Sequence, residues 1–214
     1  MIETMSDTNL SRKEREFQRR EQDILSAAIA LFGEEGWENV TVAQIAASAE
    51  IGKGTVYKHF ASKEDIYARL SLDFHYQLMT IYQQISLELN SLDFMKEAIY
   101  QSFRFYRENQ ICGKLSEFCK RKDFKERISE SLSLEYQDLD QKFEAFFGVI
   151  LEKGIQEGVI DDRPIMHLMI GMEATFEGAI SMMTNDSYTD FSELDEETFV
   201  DVVTGFMVSA LAKR

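Results

Sequence analysis

The stretch TVAQIAASAEIGKGTVYKHFASKED, residues 41–65, decides how the chain folds. Thr41 and Gln44 have the spacing of a capping box, which predicts a helix start, and residues 62–65 repeat that spacing. Between the two caps, an acidic residue and a glycine interrupt the helical pattern, and a further short helix is predicted over residues 53–60. The stretch therefore predicts two short helices joined by a tight turn, followed by the start of a third.

The second of these short helices has one apolar side and one polar side. With a rotation of about 100° per residue, Val56 and Phe60 fall together and are expected to face a core. Residues 51–63 contain three lysines and no acidic residue. The polar side carries Gly54, Thr55, Tyr57, Lys58 and His59. A short helix of this kind fits the major groove of DNA, and we prefer that interpretation to an ordinary solvated surface helix.

Several short motifs around this stretch are specific to one family. They are Leu31-Phe32, Gly36-Trp37, Thr41-Val42, Ile45-Ala46, Gly54-Thr55-Val56-Tyr57, His59-Phe60 and Ser62-Lys63-Glu64. With these motifs, roughly residues 24–70 resemble the N-terminal helix-turn-helix domain of TetR-type (tetracycline-repressor-like) transcriptional regulators. Two positions depart from the usual pattern. Gly52 replaces a common serine cap and is tolerated there, whereas Glu50 replaces a common turn glycine and costs stability if its backbone is left-handed.

Composition indicates a helical protein that stays inside the cell. The 214 residues are 44% hydrophobic and include a single proline, which favours helices nearly throughout. The polar N-terminus does not have the pattern of a secretory signal, and no apolar run approaches the ~18 residues of a membrane helix. Two cysteines cannot form a disulfide framework. We expect a cytoplasmic protein without membrane contact.

The formal net charge of −15 is unusual for a DNA-binding protein, so its distribution matters. Residues 12–69 contain nine Lys or Arg and ten Asp or Glu, whereas residues 70–214 contain fourteen and twenty-six. The acidic residues are therefore concentrated away from the predicted DNA-contacting helix. Because salt screens charges over about 8 Å at physiological strength, distant carboxylates repel DNA only weakly.

We expect an all-α fold in three parts: a flexible arm (residues 1–14), a three-helix helix-turn-helix DNA-binding domain (residues 15–66) and a C-terminal helical domain for effector binding and dimerisation (residues 67–214). Helices besides the two short ones are predicted over residues 16–35, 62–89, 91–109, 110–120, 124–156, 161–183 and 195–212.

Five basic residues near the start, Arg12, Lys13, Arg15, Arg19 and Arg20, belong either to a solvated mixed-charge helix or to an arm that touches the DNA backbone or minor groove.

The two C-terminal helices have wide apolar faces interrupted by small residues. Gly171, Ala174 and Gly178 lie on the first, and Gly205 and Ser209 on the second. Two such helices can pair with those of a second copy in a four-helix interface. The family resemblance implies this homodimer, formed by helices near residues 164–183 and 195–212. The alternative is that both helices only complete the core of the monomer.

The C-terminal region is also rich in phenylalanine and methionine. These side chains are usually plain core, but the resemblance implies that some of them line a cavity for a small hydrophobic effector. The candidate effector-binding residues are Phe103, Phe118, Phe147, Met169, Met172 and Phe176. An apolar, Met-rich wall suits a lipophilic molecule such as an acyl chain or an aromatic compound.

The DNA contacts follow from the predicted polar side and its neighbours. We assign Thr55, Lys58 and His59 to base edges and Tyr57 to a base or a phosphate. Gly54 is a further candidate for DNA contact. Thr41, Lys53 and Lys63 are assigned to phosphates. The predicted function is a ligand-responsive transcriptional regulator, a repressor by preference, that binds a palindromic double-stranded operator as a homodimer and is released by its effector.

Enzyme function is not predicted. The sequence lacks a Walker loop and the motifs G-x-G-x-x-G, H-E-x-x-H and G-x-S-x-G, and no catalytic residue, metal ligand set or cofactor is expected. Cys112 and Cys119 are seven residues apart on one predicted helix face, but no histidine or further cysteine completes a metal site. The alternative function is a helix-turn-helix regulator controlled by a protein partner or by cysteine redox state, without a small-molecule ligand.

Overall fold

The structure is a computed structural model that describes residues 11–185, 187–190 and 194–213. Within these residues the chain forms ten α-helices, one short 3-10 helix over Ser187–Asp190 and no strand, which confirms the all-α prediction. The helices are α1 (Arg12–Glu35), α2 (Val42–Ser48), α3 (Lys53–His59), α4 (Lys63–Gln84), α5 (Ser91–Glu108), α6 (Gln110–Cys119), α7 (Lys122–Lys125), α8 (Glu130–Glu157), α9 (Ile165–Thr184) and α10 (Glu196–Leu211).

The predicted helix-turn-helix is present, and its three helices enclose a core. Ile24, Ala28 and Phe32 of α1 are buried against Ile45 of α2 and Val56 of α3. The predicted capping box at Thr41 forms, and its hydroxyl accepts a hydrogen bond from the Gln44 N–H. Only half of the box predicted over residues 62–65 forms: the Ser62 hydroxyl accepts from the Asp65 N–H, but the Asp65 carboxylate accepts from the distant Ser129 N–H.

This first core extends beyond the helix-turn-helix. Buried side chains of α6, α7 and the first half of α8, including Leu115, Phe124 and Leu132, belong to the same cluster as α1–α3. The predicted boundary after residue 66 therefore falls inside α4, within a core that the two predicted domains share.

A second core fills the C-terminal half. It is formed by the end of α4, α5, the second half of α8, α9 and α10, and its fully buried members include Phe94, Phe103, Leu151 and Ile180. Phe143 packs against both cores.

Helix α4 joins the two cores. Ile66 and Leu70 lie in the first, and Phe74, Leu78 and Tyr82 lie in the second. Its 22 residues correspond to about 33 Å of helix. It ends at Gln84 and not near residue 89 as predicted, because Ile85 is already extended.

Helix α1 begins at Arg12, four residues before its predicted start. Ser11 and Glu14 form a capping box, in which the Ser11 N–H donates to the Glu14 carboxylate at 2.7 Å. The predicted flexible arm, residues 1–14, otherwise lies outside the described residues.

The segment predicted as one helix over residues 124–156 is divided in two. Helix α7 ends at Lys125, and α8 begins at Glu130. The Ser129 N–H between them donates to the buried Asp65 carboxylate of α4 at 3.0 Å. This long-range hydrogen bond satisfies the backbone where the helix is interrupted, and helical periodicity does not indicate it.

The last two helices differ little from their predictions. Helix α9 begins at Ile165, four residues after its predicted start, and Pro164 is its N-cap. The Asp161 N–H donates to the Leu211 carbonyl at 2.9 Å, so the chain before α9 pairs with the end of α10. Between the two helices, Ser187–Asp190 forms the 3-10 helix.

The turn between α2 and α3 contains a left-handed residue. Glu50 has φ of 54°, the one positive φ among the non-glycine residues that the structure describes. A non-glycine residue in the left-handed region of backbone conformation costs about 1–3 kcal/mol of stability. This agrees with the cost expected from the sequence, where Glu50 replaces a common turn glycine.

We expect Glu50→Gly to raise the free energy of unfolding by about 1 kcal/mol, because the relief of strain exceeds the added entropy of glycine in the unfolded chain. Chemical denaturation measures this change. Glu50→Ala is the matched control, since it removes the same carboxylate but keeps the Cβ atom. Equal stability of the two variants would contradict strain as the cause.

Candidate functional site

Helix α3 presents its polar side to solvent, as its pattern predicts. Val56 and Phe60 are only 1% and 5% exposed, and they fix the rotation of the helix about its axis. The outward side carries Lys53, Gly54, Tyr57 and Lys58, which are exposed, and Thr55, which is partly exposed. These five candidate residues therefore lie together on one accessible surface, called the α3 surface below.

The α3 surface combines cationic, aromatic and backbone groups. The Lys53 ammonium lies 5.7 Å from the centre of the Tyr57 ring, and Tyr57 is 47% exposed. A Cβ atom added at Gly54 would meet nothing within 4 Å. The backbone at Gly54 is thus open to an external molecule, and no packing contact inside the chain requires glycine there.

Thr41 lies at the start of α2, and its hydroxyl has partners within the chain. It accepts from the Gln44 N–H at 3.3 Å and donates to the Gln44 side-chain oxygen at 2.7 Å. The residue is exposed, but the hydroxyl hydrogen is already bonded, so a phosphate contact through it stays a prediction.

The position of His59 does not fit the predicted contact with base edges. Its ring stacks on Phe17 of α1, with ring centres 3.9 Å apart, and its side chain is 5% exposed. The imidazole Nδ1 lies 3.8 Å from the Glu21 carboxylate. His59 therefore ties α3 to α1 and is removed from the candidate DNA contacts.

Lys63 also has a different environment from the one predicted. Its ammonium donates to the backbone carbonyls of Trp37, Glu38 and Val40 at 3.2, 3.1 and 2.8 Å. Burial lowers the pKa of Lys63, although nearby carboxylates act in the opposite direction. All three ammonium hydrogens are used to hold the loop between α1 and α2, which leaves none for a phosphate.

The basic residues at the start of α1 are accessible. Arg12, Lys13, Arg15 and Arg19 are exposed on its first turns, so their contact with DNA stays a prediction. Phe17 lies among them and was not singled out from the sequence. An apolar residue within a charged run was the signal that it covers another element.

A cavity of about 120 Å³ lies among α4, α5, α8, α9 and α10. Four of the six candidate effector-binding residues line it, namely Phe147, Met169, Met172 and Phe176. Met95 and Met207 add to the apolar wall, and the polar groups at the lining are Tyr82, Ser102 and Glu173. We call this space the C-terminal cavity.

The other two effector candidates lie elsewhere. Phe103 is buried behind the cavity wall, with its ring centre 5.2 Å from that of Phe176. Phe118 belongs to the first core, where it contacts the rings of Tyr67 and Phe124. Helical spacing identifies both as inward-facing but does not distinguish which core they enter.

A charged group beside the cavity was missed from the sequence. The Lys120 ammonium lies 2.9 Å from the Glu177 carboxylate and 3.1 Å from that of Glu117. Burial alone lowers the pKa of Lys120, but Tyr106 and these carboxylates raise it above its usual value. Burial raises the pKa of the neighbouring Glu173. A search for apolar patterns does not detect such a group.

Neither cysteine has the environment of a reactive thiolate. Burial raises the pKa of the Cys112 thiol, and it raises that of Cys119 to about 12. Reactive cysteines have lowered pKa values, so the structure does not favour a redox switch.

In the part of the chain that the structure describes, no group of three or more His, Cys, Asp or Glu is placed to hold a metal ion. Among the same residues, no helix is long and apolar enough to cross a membrane.

Residues 24–70 match the family model of bacterial regulatory proteins of the tetR family. The chain is 36% identical over 75 residues to the HTH-type transcriptional regulator HbdR of Aromatoleum sp. (strain CIB), which covers 35% of this chain and 31% of HbdR. It is 28% identical over 141 residues to the HTH-type transcriptional repressor KstR2 of Mycobacterium tuberculosis, covering 65% of this chain and 68% of KstR2. The match thus spans less than a third of HbdR.

The similarity of fold extends over nearly the whole chain. The transcriptional regulator FadR from Bacillus subtilis, solved in complex with stearoyl-CoA, superposes with a TM-score of 0.66 at 18% identity. The superposition covers 89% of this chain and 98% of FadR. At this identity the likeness concerns the fold alone.

We expect Lys63→Ala to lower the free energy of unfolding by about 1–2 kcal/mol, because three carbonyls lose a charged donor. Lys58→Ala is the control, since the exposed Lys58 should change stability by less than about 0.5 kcal/mol. Denaturant titration of both variants measures the difference. If Lys63→Ala were as stable as the unmodified protein and instead reduced the salt dependence of DNA binding, the result would support the phosphate contact and contradict a purely structural role of Lys63.

Proposed function

We propose that the chain is a TetR-type transcriptional regulator, as the match of residues 24–70 to the tetR family model supports. In this proposal it binds a palindromic DNA operator as a homodimer and is released by a small lipophilic effector. We propose that binding to the operator represses transcription. This function requires access to chromosomal DNA, which a cytoplasmic location provides. No reaction is part of the proposal, in keeping with a family of regulators that are not enzymes.

The α3 surface is the observation that carries the DNA-binding proposal. It is exposed, contains two lysines and no acidic side chain, and is anchored from behind by Val56 and Phe60. We assign Thr55 and Lys58 to base edges and Tyr57 to a base or a phosphate. Lys53 and the Gly54 backbone are assigned to the phosphates that set the position of the helix. Thr41 is assigned to a phosphate as well, which requires its hydroxyl to exchange the bond to Gln44 for one to DNA.

Homodimer formation is supported by an exposed apolar surface on α9 and α10. Ile170 of α9 is 60% exposed, and Val202 and Phe206 of α10 are 58% and 64% exposed. Added Cβ atoms at Gly171, Gly178 and Gly205 would meet nothing within 4 Å, so a neighbouring helix can approach closely. Pairing with a second copy would bury this surface, and two α3 helices about 34 Å apart would contact successive major grooves.

The C-terminal cavity supports control by a ligand. Its wall residue Phe176 contacts the Tyr106 ring, with centres 5.9 Å apart, and Tyr106 contacts Phe74 of α4 at 4.8 Å. A molecule in the cavity can therefore displace α4 through two aromatic contacts. Release requires that the effector bind more tightly to dimers whose α3 spacing does not fit the operator.

Control by a protein partner without a small molecule is the alternative. The cavity favours a ligand over this alternative, and the raised pKa values of both thiols count against cysteine redox control. A thermal-shift screen with lipophilic compounds separates the two proposals, because a small molecule that binds the folded protein raises its unfolding temperature without a protein partner. Loss of the shift on substitution of a lining residue such as Met172 would assign the binding to the cavity.

Selection of bound fragments from random DNA tests the proposal, and we expect it to yield a palindrome. On the selected operator, Lys58→Ala should relax sequence preference at one base position in each half-site. Lys53→Ala should weaken binding to all sequences alike. It should also lower the number of ions released on binding, measured as the slope of log affinity against log salt concentration, by about one for each lost contact. A selected sequence without symmetry, or identical behaviour of the two variants, would contradict the assignment.

We expect Phe206→Glu to disrupt the dimer. Loss of a buried aromatic anchor costs about 2 kcal/mol or more, which is roughly thirtyfold in the dissociation constant. Sedimentation equilibrium measures this constant. Leu87→Glu is the control, because Leu87 is 68% exposed in the loop between α4 and α5. An unchanged dimer in Phe206→Glu would exclude this surface as the interface.

A further inference from the structure

The size of the C-terminal cavity limits what it can hold. An apolar cavity of roughly 150 Å³ in another protein holds benzene, and the cavity here is about 120 Å³. It therefore admits a molecule of about one aromatic ring without rearrangement. Its walls are mainly Met and Phe side chains, which contact a ring without requiring one particular shape.

Two hydroxyl groups at the lining have already used their hydrogens. The Ser102 hydroxyl donates to the Ala98 carbonyl at 2.6 Å, and the Tyr82 hydroxyl lies 2.5 Å from the Ser102 oxygen. With Ser102 donating to Ala98, Tyr82 donates to Ser102, and both hydrogens are bonded. Tyr82 and Ser102 are 6% and 2% exposed. They offer the cavity oxygen lone pairs and no free hydrogen.

Glu173 is the third polar group at the lining, and it also accepts hydrogen bonds. It keeps contact with solvent, so it marks the side where the cavity opens. Glu177 lies four residues further along the same helix, about one turn away. If Glu173 is ionised, both oxygens accept.

The cation beside Glu173 does not supply a donor to the cavity. Lys120 is held by Glu117 and Glu177 at 3.1 and 2.9 Å, and it does not belong to the lining. With Glu173 ionised, the polar side chains among the described residues that line the cavity are thus acceptors without a free donor. The backbone N–H groups of the lining helices are committed to helical hydrogen bonds.

We propose that the C-terminal cavity selects a one-ring apolar molecule bearing a hydrogen-bond donor, neutral or cationic, and rejects the corresponding anion. The donor is received by Glu173 at the open side or by the Tyr82–Ser102 pair at the inner wall. An anion would bury its charge beside a carboxylate and two oxygens without a compensating donor, which is strongly unfavourable. This inference rests on the proposed effector function and specifies the chemistry of the ligand.

Four probes of nearly equal size test the proposal: toluene, benzyl alcohol, benzylamine and benzoate. Binding to the full-length protein without DNA is measured by calorimetry. We expect benzyl alcohol to bind several-fold more tightly than toluene and benzylamine about tenfold more tightly, as neutral and charged hydrogen bonds predict. Benzoate should bind more weakly than toluene. Benzoate binding as tightly as benzylamine would overturn the proposal.

Two variants separate the role of Glu173 from a general effect of charge. Glu173→Gln keeps the shape and adds an amide donor, so we expect it to weaken benzylamine binding about tenfold and to strengthen benzoate binding. Glu144→Gln removes an exposed carboxylate of α8 that is not at the lining, and it should change neither. Equal behaviour of the two variants would contradict the assignment to Glu173.

The same probes distinguish this inference from the function on which it rests. If none of the four binds, but palmitate releases the selected operator, effector control stands and the proposed ligand class is wrong. If no lipophilic compound weakens operator binding, effector control itself fails, and the ligand class fails with it. Operator affinity is measured at fixed salt in each case, because phosphate contacts depend on ionic strength.

Discussion

The burial of one helix in two cores is the constraint on which the rest of the structure depends. Helix α4 places Ile66 and Leu70 among the side chains of the helix-turn-helix, and Phe74 and Tyr82 among those that surround the C-terminal cavity. A helix is stiff along its axis, so it cannot shift at one end without disturbing packing at the other. Its first turn is held further by the Asp65–Ser129 hydrogen bond and by the carbonyls that Lys63 contacts. The orientation of α3 is thus coupled to the C-terminal half.

Sequence reasoning succeeded where short-range contacts determine structure. The caps at Thr41 and Ser62, the turn before α3 and the outward side of α3 all depend on residues within a few positions of one another. It failed where the deciding contact is distant in sequence. His59 is turned inward by Phe17, and Lys63 is held by carbonyls 23–26 residues away. Exposed polar character predicts solvent contact but cannot reveal a partner supplied by another helix.

The candidate effector site shows the same division. Periodicity identified inward-facing Phe and Met residues, and four of the six line the cavity. Periodicity could not assign Phe118 to the first core. Helix α6 contacts α1, which belongs to the first core, and α4, which belongs to both cores, so only tertiary packing determines which core Phe118 enters. The acceptors at the lining were missed for a different reason. Tyr82, Ser102 and Glu173 lie on three helices, and their common chemistry becomes visible only when those helices are brought together.

The acidity of the chain is consistent with its proposed role once charge is considered with geometry. Few carboxylates lie close to α3 in the sequence: Glu50 is exposed in the turn before it, and Glu64 after it lies 3.7 Å from the Arg127 guanidinium. Most of the excess acid lies after residue 70, where screening over about 8 Å weakens its effect on a duplex at α3. What remains is a general repulsion that weakens non-specific binding to DNA phosphates. Specific binding adds base contacts to the same electrostatic contribution, so the ratio of specific to non-specific affinity is set by the α3 side chains, and this ratio determines whether a regulator finds its site among many competing sequences.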